Sequence, residues 1–251
     1  EASQTHKYKR PVGGTEPTQL GEPLVFGPED GAGSCEAAIV FLHGIGDRPQ
    51  SWAKTFAPLR KQSSERWMWI HLRAPKLMQP YNGQKMQAWG KVFSKDCMHV
   101  GSKDHEDRND QGFYQSAAEA VRLVVEALHS EHSVPAGKVL IVGFSQGAAV
   151  SLLSALSFPH LFIGCIVLSG WLLPCARDLL IANSAGKKPP ILLCHGTADE
   201  MIGHDCATYA ATSLKDAGQQ LQFESFPGLG HAPSSMLMKV VADFVHESLA
   251  V

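Results

Sequence analysis

Two periodicities alternate along this chain. Short apolar runs rich in β-branched residues stand at Ala37 to Leu42, Trp67 to Leu72, Val139 to Phe144, Gly164 to Leu168, Ile191 to Cys194 and Leu221 to Phe226. Runs of this length, alternating with longer amphipathic segments, predict the strands of a mostly parallel sheet covered by helices. Longer segments with helical spacing separate them. From Asp110 to His132, Ala117, Val121, Val124, Val125 and Leu128 share one stripe, and near the C-terminus Leu237, Val240, Val241, Phe244 and Val245 share another, each predicting a helix packed on the sheet. Further helices are expected over Ala148 to Leu156 and over about Asp205 to Ala217, the latter capped by Gly218. Strand and helix in alternation predict an α/β protein with a mostly parallel sheet. Only Arg73 to Asn109 breaks the rhythm, because it joins a strand to a helix through more than about 15 residues, the range in which loops carry function or move. Its first part is greasy, with Leu77, Met78, Trp89 and Phe93, and Ser102 to Asp110 is a charge run that reads as a solvated surface loop.

Composition narrows the class. A chain of 251 residues suits one substantial core better than two, and the boundaries expected are a flexible N-terminal tail over 1–22 and a single domain over 23–251. With 44% hydrophobic and 18% charged residues, disorder is excluded as the dominant state. Lys+Arg (22) nearly cancels Asp+Glu (24), which leaves no general positive field to hold nucleic acid. Apolar stretches such as Ile163 to Leu168 fall far short of the roughly 20 residues of a membrane span. The stretch from Glu1 to Gly33 lacks the apolar segment of a secretory signal, although a chain that begins without Met leaves a removed leader open. The six cysteines form no CxxC pair, and Cys165 and Cys194 sit inside strand-like runs, so reduced thiols in a cytoplasmic protein are expected. His129 with His132, and His99 with His105, make no recognised ligand spacing. Neither a metal nor a cofactor is expected.

The strongest chemical signal is Gly143-Phe144-Ser145-Gln146-Gly147, a GxSxG directly between an apolar run and a helical one. A sharp strand-to-helix turn there lifts a serine hydroxyl out at the end of the sheet, above a helix N-terminus. A serine needs a base within hydrogen-bond reach, and the base needs a carboxylate to orient it. Asp199, in Cys194-His195-Gly196-Thr197-Ala198-Asp199, follows one strand, and His231, in Gly228-Leu229-Gly230-His231, follows another. Ser145, Asp199 and His231 thus occur in the chain order nucleophile, acid, base, each at the carboxyl end of its strand. Of the 12 histidines, His195 is the nearest rival for the base, and its place at a strand end favours a structural hydrogen bond. Acyl transfer also develops an oxyanion. Its expected donors are the backbone N–H of Gln146 and that of Ile45, in the Gly-containing loop Leu42-His43-Gly44-Ile45-Gly46-Asp47.

Taken together, FLHGIGD (Phe41 to Asp47) with Trp52, RAP (Arg73 to Pro75), GFSQGAA (Gly143 to Ala149), LSGWL (Leu168 to Leu172), HGTAD (His195 to Asp199) and GLGH (Gly228 to His231) make the chain resemble the acyl-protein thioesterase and lysophospholipase-like carboxylesterases. These are small α/β-hydrolases, and the likeness runs from about Pro23 to the C-terminus. The resemblance implies an α/β-hydrolase fold with helices on both faces of the sheet. It implies a cytoplasmic serine hydrolase that removes palmitoyl and other acyl groups from S-acylated proteins, or cleaves lipid esters, with Ser145, Asp199 and His231 catalytic and Ile45 and Gln146 as oxyanion donors. It further implies an acyl channel under the long loop, drawing on Leu77, Met78, Trp89 and Trp171. Gly90 and Lys91 follow Trp89 where the family usually carries an aromatic and an acid, and Met201-Ile202-Gly203 stands where it carries Val-Pro after the triad acid. Two other readings stay open at this point: a carboxylesterase or lysophospholipase for small or short-chain esters, and a non-catalytic protein using a hydrolase pocket for a ligand. The greasy loop is also compatible with transient membrane-surface contact and with a homodimer.

Overall fold

A computed structural model describes residues 18–28, 35–182 and 188–249. In chain order the elements are β1 (Gly21–Phe26), β2 (Ala37–Leu42), α1 (Pro49–Thr55), α2 (Ala57–Gln62), β3 (Trp67–Arg73), β4 (Lys76–Gln79) and β5 (Gln84–Gln87). Next come α3 (Lys103–Glu106), α4 (Gln111–His132), β6 (Val139–Phe144), α5 (Gln146–Ser157), β7 (Gly164–Leu168) and α6 (Pro174–Ala182). The chain closes with β8 (Ile191–Gly196), α7 (His204–Asp216), β9 (Leu221–Phe226) and α8 (Ser235–Leu249). Seven strands form one sheet in the order β1-β3-β2-β6-β7-β8-β9. All its pairings are parallel except β1 with β3.

Alternation along β2 separates the two halves of the core. Ala38, Val40 and Leu42 join the apolar faces of α4, α5, α6 and α7, whereas Ala37, Ile39 and Phe41 meet Trp52, Phe56 and Leu59 from the α1–α2 side and Val241 and Phe244 from α8. Helices therefore cover both faces, and each fully buried large apolar side chain contributes about 1.5–3 kcal/mol. The α7 C-terminus closes as its sequence predicts. Gly218 is left-handed (φ 69°), its N–H reaches Lys215 O at 2.8 Å and the Gln219 N–H reaches Leu214 O at 2.9 Å, the paired bonds of a Schellman cap.

Three features depart from the expectation. The tail boundary at Glu22 falls inside β1, whose Gly21 pairs with Arg73, and Thr18 donates to Ser116 O at 3.0 Å; the rest of that tail, 1–17, lies outside the described residues. The long segment after β3 is partly ordered as a β4–β5 hairpin and the short α3. The helices α1, α2 and α6 carry no long stripe and were not expected.

The sheet reverses its winding between β2 and β6, which are adjacent and parallel, and crevices for ligands form at the carboxyl ends of strands at such a point. Two glycines allow the approach. A Cβ on Gly147 would lie 2.2 Å from Leu42 O, and one on Gly143 would lie 2.3 Å from Gly147 O. The start of α5 can therefore pack directly on the end of β2.

His71, in β3, is fully buried among Phe26, Phe41 and Phe56, and neither ring nitrogen has a partner among the described residues. Burial, aided by Arg60, lowers its pKa to about 4. The unfolded chain therefore takes up this proton first as pH falls. The stability conferred by neutral His71 is complete above the ordinary value of 6.5 and is lost between there and about 4, at up to about 1.4 kcal/mol per pH unit. His71→Leu should remove one proton's worth of slope from the stability curve in this window, as read from urea midpoints taken above and within it. An unchanged slope would contradict the assignment.

Candidate active site

Ser145 stands between β6 and α5 with φ 55° and ψ −122°. A non-glycine residue held there stores about 1–3 kcal/mol of strain, sustained by surrounding bonds. Its N–H donates to Leu168 O at 2.8 Å, and its carbonyl accepts from Ala148 and Ala149 at 3.0 and 3.2 Å. The expected elbow is thus present, and its sequence cause is the pair of glycines on either side.

The loops after β8 and β9 are tied together. Ala198 N–H donates to Leu229 O at 3.0 Å, Gly228 N–H to Thr197 Oγ1 at 2.9 Å, and a Cβ on Gly196 would sit 2.1 Å from Leu229 O. This brings Asp199 Oδ2 to 2.7 Å from His231 Nδ1. A carboxylate only accepts, so Nδ1 carries the proton and Nε2 is left as the basic nitrogen. The other oxygen, Oδ1, accepts from the Met201 and Ile202 N–H groups at 3.0 and 2.9 Å. Burial alone would raise the Asp199 pKa, but the bonds from His231, Ile202 and Met201 outweigh it and hold the carboxyl below its ordinary value. The His231 ring packs on Phe144, with centroids 4.7 Å apart. His195 is buried and bonded to Ile202 O at 2.8 Å, the structural bond expected of it.

Ser145, His231, Ile45 and Gln146 line one cavity of about 380 Å3. Neither the Ile45 nor the Gln146 N–H is committed to an acceptor among the described residues, as oxyanion donors require. The Ile45 loop is held by His43, a contribution that the sequence did not disclose. Ala74 N–H donates to His43 Nε2 at 3.2 Å, so Nδ1 is protonated and donates to Gly44 O at 2.7 Å. Burial lowers the His43 pKa, which keeps that ring neutral.

The acyl-channel expectation needs correction. Trp171 lines the cavity, but Leu77, Met78 and Trp89 do not. Leu77 is opposite Met86 in the β4–β5 hairpin, and Met78 is exposed. Trp89 is buried beneath the site because its polar groups are used there: Nε1–H donates to His43 O and its backbone N–H to Gln146 Oε1, both at 2.7 Å. Gln146 in turn donates through Nε2 to Gly90 O at 3.0 Å. Gly90 is required at that point, since a Cβ would lie 2.2 Å from the Tyr114 ring; this is the sequence departure after Trp89 in physical form. Tyr81, Val92, Met98, Met201 and Ile202 supply the walls instead. Among the described residues no cluster of His, Cys, Asp and Glu could hold a metal ion.

A serine on a strained elbow, a carboxylate-bound histidine and two uncommitted N–H groups in one cavity are the parts of acyl transfer. The family model described as Phospholipase/Carboxylesterase matches residues 29–249. The chain belongs to this family. It is accordingly a serine hydrolase with the α/β-hydrolase fold, which sets aside the reading as a non-catalytic binding protein. Among relatives, acyl-protein thioesterase 1 of Neurospora crassa is 30% identical over 217 residues, covering 85% of this chain and 87% of that protein. Carboxylesterase SOBER1 of Arabidopsis thaliana is 30% identical over 214 residues, covering 84% and 90%. The crystal structure of SOBER1 superposes with a TM-score of 0.73 over 85% of this chain and 99% of that one, at 30% identity. Zea mays acyl-protein thioesterase 2 gives 0.72 over 91% and 99%, at 26% identity.

Proposed function

We propose that this hydrolase removes long acyl chains, foremost palmitoyl groups, from S-acylated proteins through an acyl-serine intermediate. His231 Nε2 takes the Ser145 Oγ proton as Oγ attacks the thioester carbonyl. The N–H groups of Ile45 and Gln146 receive the oxyanion, and His231 returns the proton to the departing cysteine sulfur. Water then attacks the acyl-serine by the same route in reverse. Asp199 stays ionised throughout, holding His231 in the tautomer that leaves Nε2 free. The observation that carries this reading is the 2.7 Å Asp199–His231 bond, with His231 lining the same cavity as the elbow serine. The thioesterase names of its relatives support the substrate class.

The likeness to a carboxylesterase favours a second reading, in which lipid esters or short esters are the substrates. A graded series of acyl p-nitrophenyl esters with one palmitoyl thioester separates the two. Rising kcat/KM toward long chains and efficient thioester cleavage are expected, and a short-chain optimum with a slow thioester would sink the first reading. Six free cysteines support a reducing, cytoplasmic setting. The exposed Met78 and Met201 support transient contact with a membrane surface, and no helix among the described residues is long and apolar enough to cross a membrane. Self-association into a homodimer would draw on the same exposed methionines.

A further inference from the structure

His195 takes no part in the mechanism above, yet it is fully buried against the triad acid. Its Nε2 lies 2.8 Å from Ile202 O and 3.4 Å from Asp199 Oδ2. A carbonyl oxygen only accepts, so Nε2 bears the proton. Nδ1 is buried with no partner among the described residues, and a proton there would be an unsatisfied buried donor. The titratable groups facing this ring are Asp199 and His231 from the two neighbouring loops and His204 from α7, whose ring centroid is 6.0 Å away. Burial lowers the His195 pKa, and His204 and His231 add to the fall against the opposing pull of the Ile202 carbonyl and Asp199. The ring is therefore a neutral donor.

Building on the triad reading, we propose that His195 is a positioning residue for Asp199, acting through the Ile202 carbonyl that its one N–H holds at 2.8 Å, with Asp199 Oδ2 beside the ring at 3.4 Å. That bond fastens the 199–202 turn at its Ile202 end. The turn then offers its own N–H groups at 201 and 202 to Oδ1, while Oδ2 accepts from His231. The bonds between the β8 and β9 loops hold the chain at Thr197 and Ala198, so what His195 controls is the turn beyond them and, through its N–H groups on Oδ1, the rotation of the carboxylate. Without it, Ile202 O loses its partner, and the turn whose N–H groups hold Oδ1 is no longer fastened. A displacement of about 1 Å in a catalytic group can cost about 10²-fold in rate.

The test compares His195→Leu, which deletes the donor, with His195→Gln, which keeps an N–H at a similar reach. Turnover of a soluble acyl ester is normalised to sites titrated with a fluorophosphonate, and kcat/KM is followed against pH. His195→Leu should lower kcat per titrated site by about 30- to 100-fold with KM within about twofold. The acid limb of the profile should move to lower pH as His231 loses its oriented carboxylate, and His195→Gln should restore most of both. A kcat per titrated site within about twofold of wild type, with an unmoved limb, would overturn the proposal. A measurement on the wild-type protein does not depend on either variant folding: nitrogen NMR of labelled histidine should show His195 as the Nε2–H tautomer, and a proton on Nδ1 would overturn the proposal equally. Failure of the triad reading itself registers separately, as turnover retained by Ser145→Ala.

Discussion

Ser145→Ala is expected to lower turnover of every acyl substrate by at least about 10⁴-fold, to the residual rate that oxyanion donors and binding alone sustain. The loss should fall on kcat. The cavity walls and the Ile45 and Gln146 N–H groups survive the change, so binding of a long-chain product analogue should stay close to wild type. Fluorophosphonate labelling should vanish with it. Among the described residues no hydrogen bond of the fold uses the Ser145 hydroxyl, and alanine fills no new space, so the fold should be retained. A variant keeping more than a few per cent of turnover would remove Ser145 from the chemistry.

Asp199→Asn should be almost as damaging, by about 10⁴-fold in kcat. An asparagine can satisfy the Met201 and Ile202 N–H groups only by turning its carbonyl toward them. Its NH2 then faces His231 Nδ1, where the wild-type carboxylate accepts at 2.7 Å. That nitrogen must give up its proton to accept, the proton moves to Nε2, and the base is lost. Measured kcat for Asp199→Asn, with circular dichroism to verify the fold, checks this. A loss below about tenfold would mean that His231 is oriented by something other than Asp199.

The interior parallel strands were legible because burial on both faces makes each a nearly unbroken apolar run, as in Val139–Phe144 and the ILLC of Ile191–Gly196. The edge strand β1 was not, since GEPLVF is half exposed and pairs on one side only. The β4–β5 hairpin hid because the inward face of Lys76–Gln79 carries Leu77 and the polar, buried Gln79, and Gln84–Gln87 is polar but for Met86, so neither shows an apolar alternation to read. In the site, Ser145, Asp199 and His231 were readable from glycine-flanked turns at strand ends. The supporting bonds were not. Trp89 looked like an acyl contact because an indole in a greasy loop reads as apolar surface, whereas its N–H is bonded to His43 O. The Gln146 side chain and His43 act through contacts with residues far away in sequence, Gly90 and Ala74, and no local spacing announces such partners.

The central claim is a covalent acyl-Ser145 intermediate formed from a long-chain thioester, and the most direct measurement is rapid acid quench after mixing with a palmitoyl thioester, followed by mass spectrometry of the digested protein. The account predicts one palmitoyl group on the peptide that contains Ser145, appearing within a single turnover and decaying as product accumulates. Product formation with no acyl group on that peptide, or with the group on a cysteine instead, would contradict it.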